Sequence, residues 1–254
     1  MQCGSGASEE SEVGWKHQVR LALEHVGLYV QRQSNNPTSN LLGLKTLGIR
    51  SVLDVGAHAG QFARFARKSF PGATLYCFEP LPAPFARLSA WARSARDVHP
   101  LNLALGDHEH SAKMFVHTEH SYSSSLLKTT DLSSQLFPMT AAQHETTITV
   151  KRLDDVVPAL TPPLRGPTLI KLDVQGFEGR VIRGGQETFK QAQACIAEIS
   201  LDTLYEQQST FKEIFDALYA LGFEYAGNFD QIYAADGHVI YLDAVFRGPN
   251  SRRA

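Results

Sequence analysis

Residues 51–62, S-V-L-D-V-G-A-H-A-G-Q-F, constrain the fold of this chain more than any other segment. Strand-forming residues lead to Asp54, a loop of small residues containing Gly56 and Gly60 follows, and a helical pattern then begins. Glycine permits a sharp turn and the close approach of a ligand, and a helix N-terminus presents unpaired N–H groups. The segment therefore predicts the strand, turn and helix at which α/β domains bind nucleotide-like cofactors.

The glycine spacing separates the candidate cofactors. A dinucleotide site requires G-x-G-x-x-G, whereas Gly56 and Gly60 enclose Ala57, His58 and Ala59. The phosphate loop of nucleotide hydrolases is also absent, because no Gly-Lys-Ser/Thr follows. An acidic residue beside backbone donors suits a zwitterionic ligand, such as the amino-acid end of S-adenosylmethionine, better than a pyrophosphate.

Residues 73–79, A-T-L-Y-C-F-E, predict a second buried strand that ends at Glu79 and Pro80. A carboxylate at this place in a βαβ unit accepts hydrogen bonds from ribose hydroxyls. Proteins that bind NAD and proteins that bind S-adenosylmethionine share this feature. Glu79 therefore predicts an adenosine cofactor, and the glycine spacing favours the methyl donor.

Further motifs follow in a fixed order along the chain. They are D-V-G-A-H-A-G at 54–60, F-E-P at 78–80, N-L-A-L-G-D at 102–107, S-S-S-L at 123–126, L-D-D at 153–155 and K-L-D-V-Q-G-F-E at 171–178. With these motifs the chain resembles the FkbM family of S-adenosylmethionine-dependent methyltransferases, over residues 50 to 200. Family members often carry Asn and Glu where this chain has His58 and Gln175, and both changes keep hydrogen-bonding capacity.

The alternation of strand and helix patterns predicts an α/β domain with a mostly parallel sheet. The predicted strands lie at 51–55, 74–79, 98–103, 168–173 and 194–199, and the predicted helices at 60–69, 82–95, 178–190 and 210–221, with Gly184-Gly185 able to end or interrupt the third. Residues 223–247 predict an antiparallel pair around an Asp-Gly turn. The resemblance implies the Rossmann-like class I methyltransferase fold, a seven-stranded sheet with an antiparallel edge and helices on both faces.

The domain organisation follows from the same patterns. We expect a flexible tail at 1–14, an N-terminal helical extension at 15–48, and a methyltransferase domain at 49–250. Within the domain, an insert at about 107–155 carries strand patterns at 112–117 and 146–152 around a polar stretch. By its position this insert is expected to cover the cofactor and select the substrate.

Position and resemblance together predict the cofactor-binding residues. These are Asp54, Gly56, Ala57, Gly60, Glu79, Pro80, Ala104, Leu105 and Ser124. Asp173 ends the fourth strand beside the first, so it is the best candidate to orient or deprotonate a substrate hydroxyl, and His58 in the cofactor loop is the second catalytic candidate. Gln175 and Glu198 are expected to face the substrate. Nothing in the spacing of the carboxylates demands a metal, and none is expected.

Composition limits the partners. The chain has 254 residues and a formal net charge of −2, so nucleic acid is not an expected partner. No apolar run reaches the ~18 residues of a membrane span, and stable membrane insertion is not expected. Cys3, Cys77 and Cys195 are far apart, with two in predicted core strands, so a reducing, cytoplasmic location is expected. The sequence leaves a homo-oligomer open.

These patterns predict an S-adenosylmethionine-dependent methyltransferase acting on a small molecule. The resemblance implies O-methylation of a hydroxyl on a sugar or secondary metabolite. A nicotinamide-dependent oxidoreductase is disfavoured by the missing G-x-G-x-x-G and by the absence of a Tyr-x-x-x-Lys pair on a helix. A third interpretation is a non-catalytic binding protein on a methyltransferase fold, and the intact cofactor motifs disfavour it.

Overall fold

A computed structural model of the chain describes residues 18–19, 21–27, 36–118, 121–140 and 142–251. The chain divides into two compact units, residues 1–40 and residues 41–254. In the first unit, residues 18–19 and 21–25 are helical, and a short helix α1 spans Pro37–Asn40. The predicted tail at 1–14 lies outside the described residues, as does part of the predicted N-terminal helical extension at 15–48.

The second unit contains a seven-stranded sheet. Its strands are β1 (Ser51–Val55), β2 (Thr74–Phe78), β3 (Val98–Leu101), β7 (Thr168–Leu172), β8 (Ala194–Ser200), β9 (Glu224–Tyr233) and β10 (Val239–Arg247). They lie in the order β3-β2-β1-β7-β8-β10-β9. The first five strands of this order are parallel, and β10 runs antiparallel to both β8 and β9. The predicted mostly parallel sheet with an antiparallel edge is confirmed.

Helices cover both faces of this sheet. One face carries α2 (Gln61–Ser69) and α3 (Pro82–Ala92), and the other carries α5 (Leu153–Val156), α6 (Glu178–Gly184), α7 (Gln186–Gln191) and α8 (Phe211–Ala220). Helix α4 (Asp131–Leu136) lies in the insert, between β5 and β6. Shorter 3-10 turns occur at Leu41–Leu47, Ser121–Ser123, Pro138–Thr140 and Val157–Ala159. Within the described part of the chain, no helix is both long enough and apolar enough to cross a membrane.

Alternate residues of the central strands enter two separate apolar layers. Val52 packs with α2 and α3 on one face, while Leu53 packs with α6 and α8 on the other. Burial on both faces explains why these strands are almost continuously apolar. Cys77 and Cys195 are fully buried in β2 and β8, as the sequence predicts, and both are free thiols.

One predicted strand ends earlier than expected, and one predicted helix is interrupted at the glycine pair that the sequence marks; each does so where the chain meets the second sheet. The predicted strand at 98–103 ends at Leu101, and the chain then enters β4 (Ala104–Gly106) of a different sheet. The predicted helix at 178–190 is interrupted at the Gly184-Gly185 pair. A Cβ on Gly184 would lie 1.8 Å from the carbonyl oxygen of Gly106, so the close contact with β4 admits only glycine there.

The second sheet has three strands in the order β4-β6-β5, with β5 at His110–His117 and β6 at Gln143–Arg152. Both strand patterns predicted for the insert are therefore present. The segment between β5 and β6 is tied to the main domain by hydrogen bonds. The Ser125 hydroxyl donates to the Gln175 carbonyl oxygen at 2.7 Å, and the Thr130 hydroxyl donates to the Thr203 carbonyl oxygen at 2.7 Å.

The carboxyl ends of β1 and β7 come into close contact at Gly56. This residue has φ 83°, and a Cβ there would lie 1.8 Å from the carbonyl oxygen of Asp173. Its N–H donates to the carbonyl oxygen of Phe78 at 3.1 Å. Gly56 therefore holds the ends of three neighbouring strands together, which requires a residue without a side chain.

We expect Gly56→Ala to destabilise the fold by about 3 kcal/mol or more, because left-handed strain and overpacking add. Gly237→Ala is the matched control: Gly237 has φ 91°, but no described atom lies within 4 Å of a Cβ there. The control is expected to lose only about 1–2 kcal/mol. Urea unfolding of both variants measures the difference. Equal losses would show that the close approach of Asp173 does not determine the choice of glycine.

Candidate active site

A cavity of about 450 Å³ lies at the carboxyl ends of the parallel strands and beneath the insert. Ligands of α/β proteins bind in this crevice, at the point where the strand order reverses, here between β1 and β7. Ten of the predicted site residues line the cavity: Gly56, His58, Glu79, Pro80, Ala104, Leu105, Ser124, Asp173, Gln175 and Glu198. Asp54, Ala57 and Gly60 do not line it.

Glu79 forms one end of the cavity. Its side chain is 4% exposed, and its two oxygens accept hydrogen bonds from the backbone N–H groups of His58 at 2.9 Å and Leu81 at 2.8 Å. Burial raises the pKa of Glu79 to about 7, although both N–H groups oppose the shift. A carboxylate oxygen accepts two hydrogen bonds, so each oxygen keeps the capacity to accept one from a ligand hydroxyl.

The loop after β1 supports Glu79 more than it lines the cavity. The N–H of Ala57 donates to the Phe78 carbonyl oxygen at 2.9 Å, and its side chain is buried in the apolar layer. Gly60 precedes α2 with φ 88°, and a Cβ there would lie 2.9 Å from Leu88 Cδ1. The predicted loop residues Ala57 and Gly60 therefore contact β2 and α3 and shape the turn.

Asp54 lies beneath this turn and is fully buried. Among the described residues, no donor makes a hydrogen bond of good geometry with either carboxylate oxygen. Burial raises the pKa of Asp54 to about 7, while Lys171 and, more weakly, the Ala63 N–H of α2 oppose the shift. Asp54 pairs with Lys171 across β1 and β7, so it adds negative charge behind the cavity wall.

The opposite end of the cavity contains two carboxylates joined by one amide. Gln175 Nε2 donates to Asp173 Oδ1 at 2.8 Å and to Glu198 Oε1 at 2.6 Å. Burial and the neighbouring Asp173 carboxylate raise the pKa of Glu198 well above its usual range. The loop after β7 thus brings together the predicted catalytic residue and the two residues predicted to face the substrate.

Lys171 supplies the positive charge of this cluster. Its Nζ donates to Asp173 Oδ2 at 2.5 Å, and the residue is 7% exposed. Burial disfavours the charged ammonium, but the carboxylates of Asp173 and Asp54 reverse this effect and raise the pKa of Lys171. The ammonium therefore remains charged and holds one oxygen of Asp173 in place.

His58 joins the cofactor loop to the insert. Its Nε2 lies 2.8 Å from Ser121 Oγ, and its ring centroid lies 3.8 Å from that of Tyr122. The residue has φ 47°, a left-handed conformation that aims its backbone N–H at Glu79. The structure thus places this catalytic candidate against the insert, with its backbone supporting the Glu79 end of the cavity.

Tyr205 is a site residue that the sequence does not reveal. Its hydroxyl lies 2.6 Å from Gln175 Oε1 and 3.0 Å from the carbonyl oxygen of Ser123. It follows β8 in a loop with no motif, so no local pattern distinguishes it from an ordinary buried aromatic residue. Among the described residues, no group of His, Cys, Asp and Glu side chains is arranged to hold a metal ion.

The profile of the Methyltransferase FkbM domain matches residues 54–225. The chain belongs to this family. The matched residues include Glu79 and the Asp173–Gln175–Glu198 cluster.

Three relatives share 27% or 28% sequence identity with this chain. Methyltransferase 1 of Beauveria bassiana is 27% identical over 143 residues, which are 52% of this chain and 57% of that protein. 2-O-methyltransferase NoeI of Sinorhizobium fredii is 28% identical, covering 66% of this chain and 70% of that protein. 31-O-demethyl-FK506 methyltransferase FkbM of Streptomyces tacrolimicus is 27% identical, covering 72% and 76%. The chain thus spans little more than half of the Beauveria protein.

We expect Asp54→Asn to change the pH dependence of stability. The pKa of Asp54 rises from an ordinary value of 3.8 to about 7 on folding, so the folded protein binds the extra proton between these values. Its contribution to the free energy of unfolding is present below the lower pKa and is lost as pH rises towards the higher one. One such group changes the free energy of unfolding by up to about 1.4 kcal/mol for each pH unit between its two pKa values.

Asparagine does not ionise, so the variant does not lose this contribution as the pH rises. The free energy of unfolding of the variant, relative to that of the wild type, should therefore be higher at pH 8 than at pH 5. Any fixed cost of the buried amide is the same at both pH values and cancels. Urea unfolding at the two pH values measures this, with Asp155→Asn, an exposed carboxylate in α5, as the control. A difference between variant and wild type that is the same at both pH values would contradict the raised pKa.

Proposed function

We propose that this chain transfers a methyl group from S-adenosylmethionine to a hydroxyl oxygen of a small molecule. The observation that supports it most is a single cavity with Glu79 at one end and the bridged carboxylates Asp173 and Glu198 at the other. Family membership supports methyl transfer as the reaction. Two relatives, NoeI and FkbM, are named as O-methyltransferases, which supports oxygen as the acceptor atom.

The residues present fit the proposed cofactor. Glu79 has one acceptor position left on each oxygen for ribose hydroxyls. Ala104 and Leu105 form a buried apolar wall that suits an adenine ring, with Pro80 and Ser124 also on the cavity surface. The carboxylates at the other end, Asp173 and Glu198, are left for the acceptor. When bound, S-adenosylmethionine supplies a methyl group that its sulfonium makes electrophilic.

The chain's own residues then hold the acceptor and remove its proton. Asp173, fixed by Lys171 at one oxygen and by Gln175 at the other, is placed to accept the proton of the acceptor hydroxyl. Glu198 offers a second carboxylate to orient the acceptor. Positioning of this kind supplies up to ~10 kcal/mol of the barrier reduction. The insert excludes water from above through residues 121–124 and Phe137.

We also propose that the methyltransferase domain spans 49–250 and works in the cytoplasm on a small molecule. The formal net charge of −2 supports a substrate other than nucleic acid. The buried free thiols of Cys77 and Cys195 support a reducing compartment. The cavity volume of about 450 Å³ is in the range typical of small-molecule sites.

Calorimetric titration of the purified chain with S-adenosylmethionine, NADH and NADPH tests the cofactor. We expect micromolar binding of the methyl donor and no binding of the nicotinamide cofactors. Transfer of a radiolabelled methyl group to a panel of hydroxyl acceptors then tests the reaction. Binding of a nicotinamide cofactor alone would overturn the proposal, and methyl-donor binding without turnover on any acceptor would indicate a non-catalytic binding protein.

Glu79→Ala should weaken S-adenosylmethionine binding tenfold or more, which corresponds to a loss of at least about 1.4 kcal/mol of binding free energy. The variant removes the ribose acceptors, and it also leaves the backbone donors of His58 and Leu81 without their partner. Calorimetry measures the dissociation constant. Glu109→Ala, an exposed carboxylate paired with Lys151, is the matched control and should bind as the wild type does. An unchanged affinity in the Glu79 variant would refute the assignment.

Asp173→Asn should lower kcat by about 100-fold, because an amide does not accept the hydroxyl proton. The dissociation constant for S-adenosylmethionine should stay within about threefold of the wild-type value, because Glu79 is proposed to hold the cofactor and Asp173 the acceptor. Single-turnover kinetics with saturating cofactor separates these two effects. If turnover and binding both match the wild type, Asp173 has a structural role only.

A further inference from the structure

Gln175 makes hydrogen bonds to three separate parts of the site. It lies in the loop after β7 with φ 54°, a left-handed conformation. Its carbonyl oxygen accepts a hydrogen bond from Ser125 of the insert, and its side-chain amide donates to Asp173 and Glu198. One residue thus joins the insert, the end of β7 and the end of β8.

Tyr205 completes this network. The residue is 2% exposed, its backbone N–H donates to Gln208 Oε1 at 2.9 Å, and an isolated β-bridge joins it to Thr129. These contacts fix the ring, so its hydroxyl has a defined position. The hydroxyl carries one proton and has two acceptors, of which Gln175 Oε1 at 2.6 Å is nearer than the Ser123 carbonyl oxygen at 3.0 Å.

Different neighbours determine the orientation and the position of the Gln175 side-chain amide. If the amide were reversed, its oxygen would face the carboxylates of Asp173 and Glu198, which repel it while they are ionised. The carboxylates therefore determine which way the amide faces. Tyr205 determines where it stays, because a hydrogen bond to Oε1 holds the amide in place and strengthens donation from its N–H groups.

We propose that Tyr205 is a positioning residue for methyl transfer, which holds Asp173 and Glu198 in their working arrangement through the amide of Gln175. This inference rests on the proposed function, in which the two carboxylates receive the acceptor hydroxyl. Tyr205 also lines the cavity, but its hydroxyl is engaged with Gln175. The same hydroxyl lies against Ser123, so the insert and the carboxylates share one anchor.

Other ionisable groups also face the carboxylates from every neighbouring element. They are Lys171 on β7, Glu178 on α6, Tyr241 and Asp243 on β10, Asp230 on β9, Asp54 on β1 and Glu79 after β2. Tyr205→Phe leaves all of these groups in place and keeps the buried ring. A change in the titration of Glu198 in this variant therefore reports the loosened amide.

Kinetics of Tyr205→Phe provide the first test. We expect kcat to fall about tenfold while the S-adenosylmethionine dissociation constant changes by less than about twofold. The acid limb of the kcat profile should move to higher pH, because carboxylates that lose N–H donation take up protons more readily. Tyr219→Phe, on an exposed side chain of α8, is the matched control and should behave as the wild type does.

A double-mutant cycle shows whether Tyr205 acts through the amide. In a Gln175→Ala background, Tyr205→Phe should cause no further loss of kcat. Losses that simply add, with an unchanged pH profile, would overturn the proposal and make Tyr205 a packing residue.

Carboxyl ¹³C NMR titration provides a test that needs no turnover. In protein labelled at the Asp and Glu carboxyl carbons, Asp173→Asn and Glu198→Gln assign the two resonances. Tyr205→Phe should raise the titration midpoint of Glu198, and an unchanged midpoint would overturn the proposal. If the wild type methylates no acceptor, the proposed function fails, and the NMR titration still decides the role of Tyr205.

Discussion

The buried ammonium of Lys171 beside the Asp173 carboxylate is the interaction on which the rest of the site depends. Carboxylates from β1, β8 and β10 and from the end of β7 converge around it, and burial pushes the pKa values of Asp54, Glu198 and Asp243 upwards. Unpaired, such groups would take up protons instead of remaining charged. Lys171, on a central strand, offsets part of this negative charge and itself stays protonated.

The sheet order explains why these groups meet. The chain places β1, β2 and β3 on one side and returns to β7 and β8 on the other, so the strand ends diverge above a crevice. Gly56 allows the loops after β1 and β7 to touch without a side chain between them. Glu79 follows β2 on one side, and the bridged carboxylates follow β7 and β8 on the other.

The insert acts as part of the site. Its second sheet packs against α6 through β4, and its irregular segment is joined by hydrogen bonds to the loops that carry Gln175 and Thr203. His58 and Tyr205 contact it from opposite ends of the cavity, at Ser121 and Ser123 respectively. The cover of the cavity and the polar groups beneath it are therefore one hydrogen-bonded structure.

The sequence alone determined the parallel strands, the loop at Gly56, and Glu79 and Asp173 at strand ends, because apolar periodicity and glycine spacing are local properties. Tertiary structure decided which of these residues line the cavity. Asp54 has the right motif but is turned beneath α2. The sequence marks Gly184-Gly185 as able to interrupt the helix after Glu178, and the close contact with Gly106 shows why glycine is needed there. The role of Tyr205 depends on partners 30 and 82 residues away in sequence. No local pattern encodes such contacts, since they form only when packing brings distant loops together.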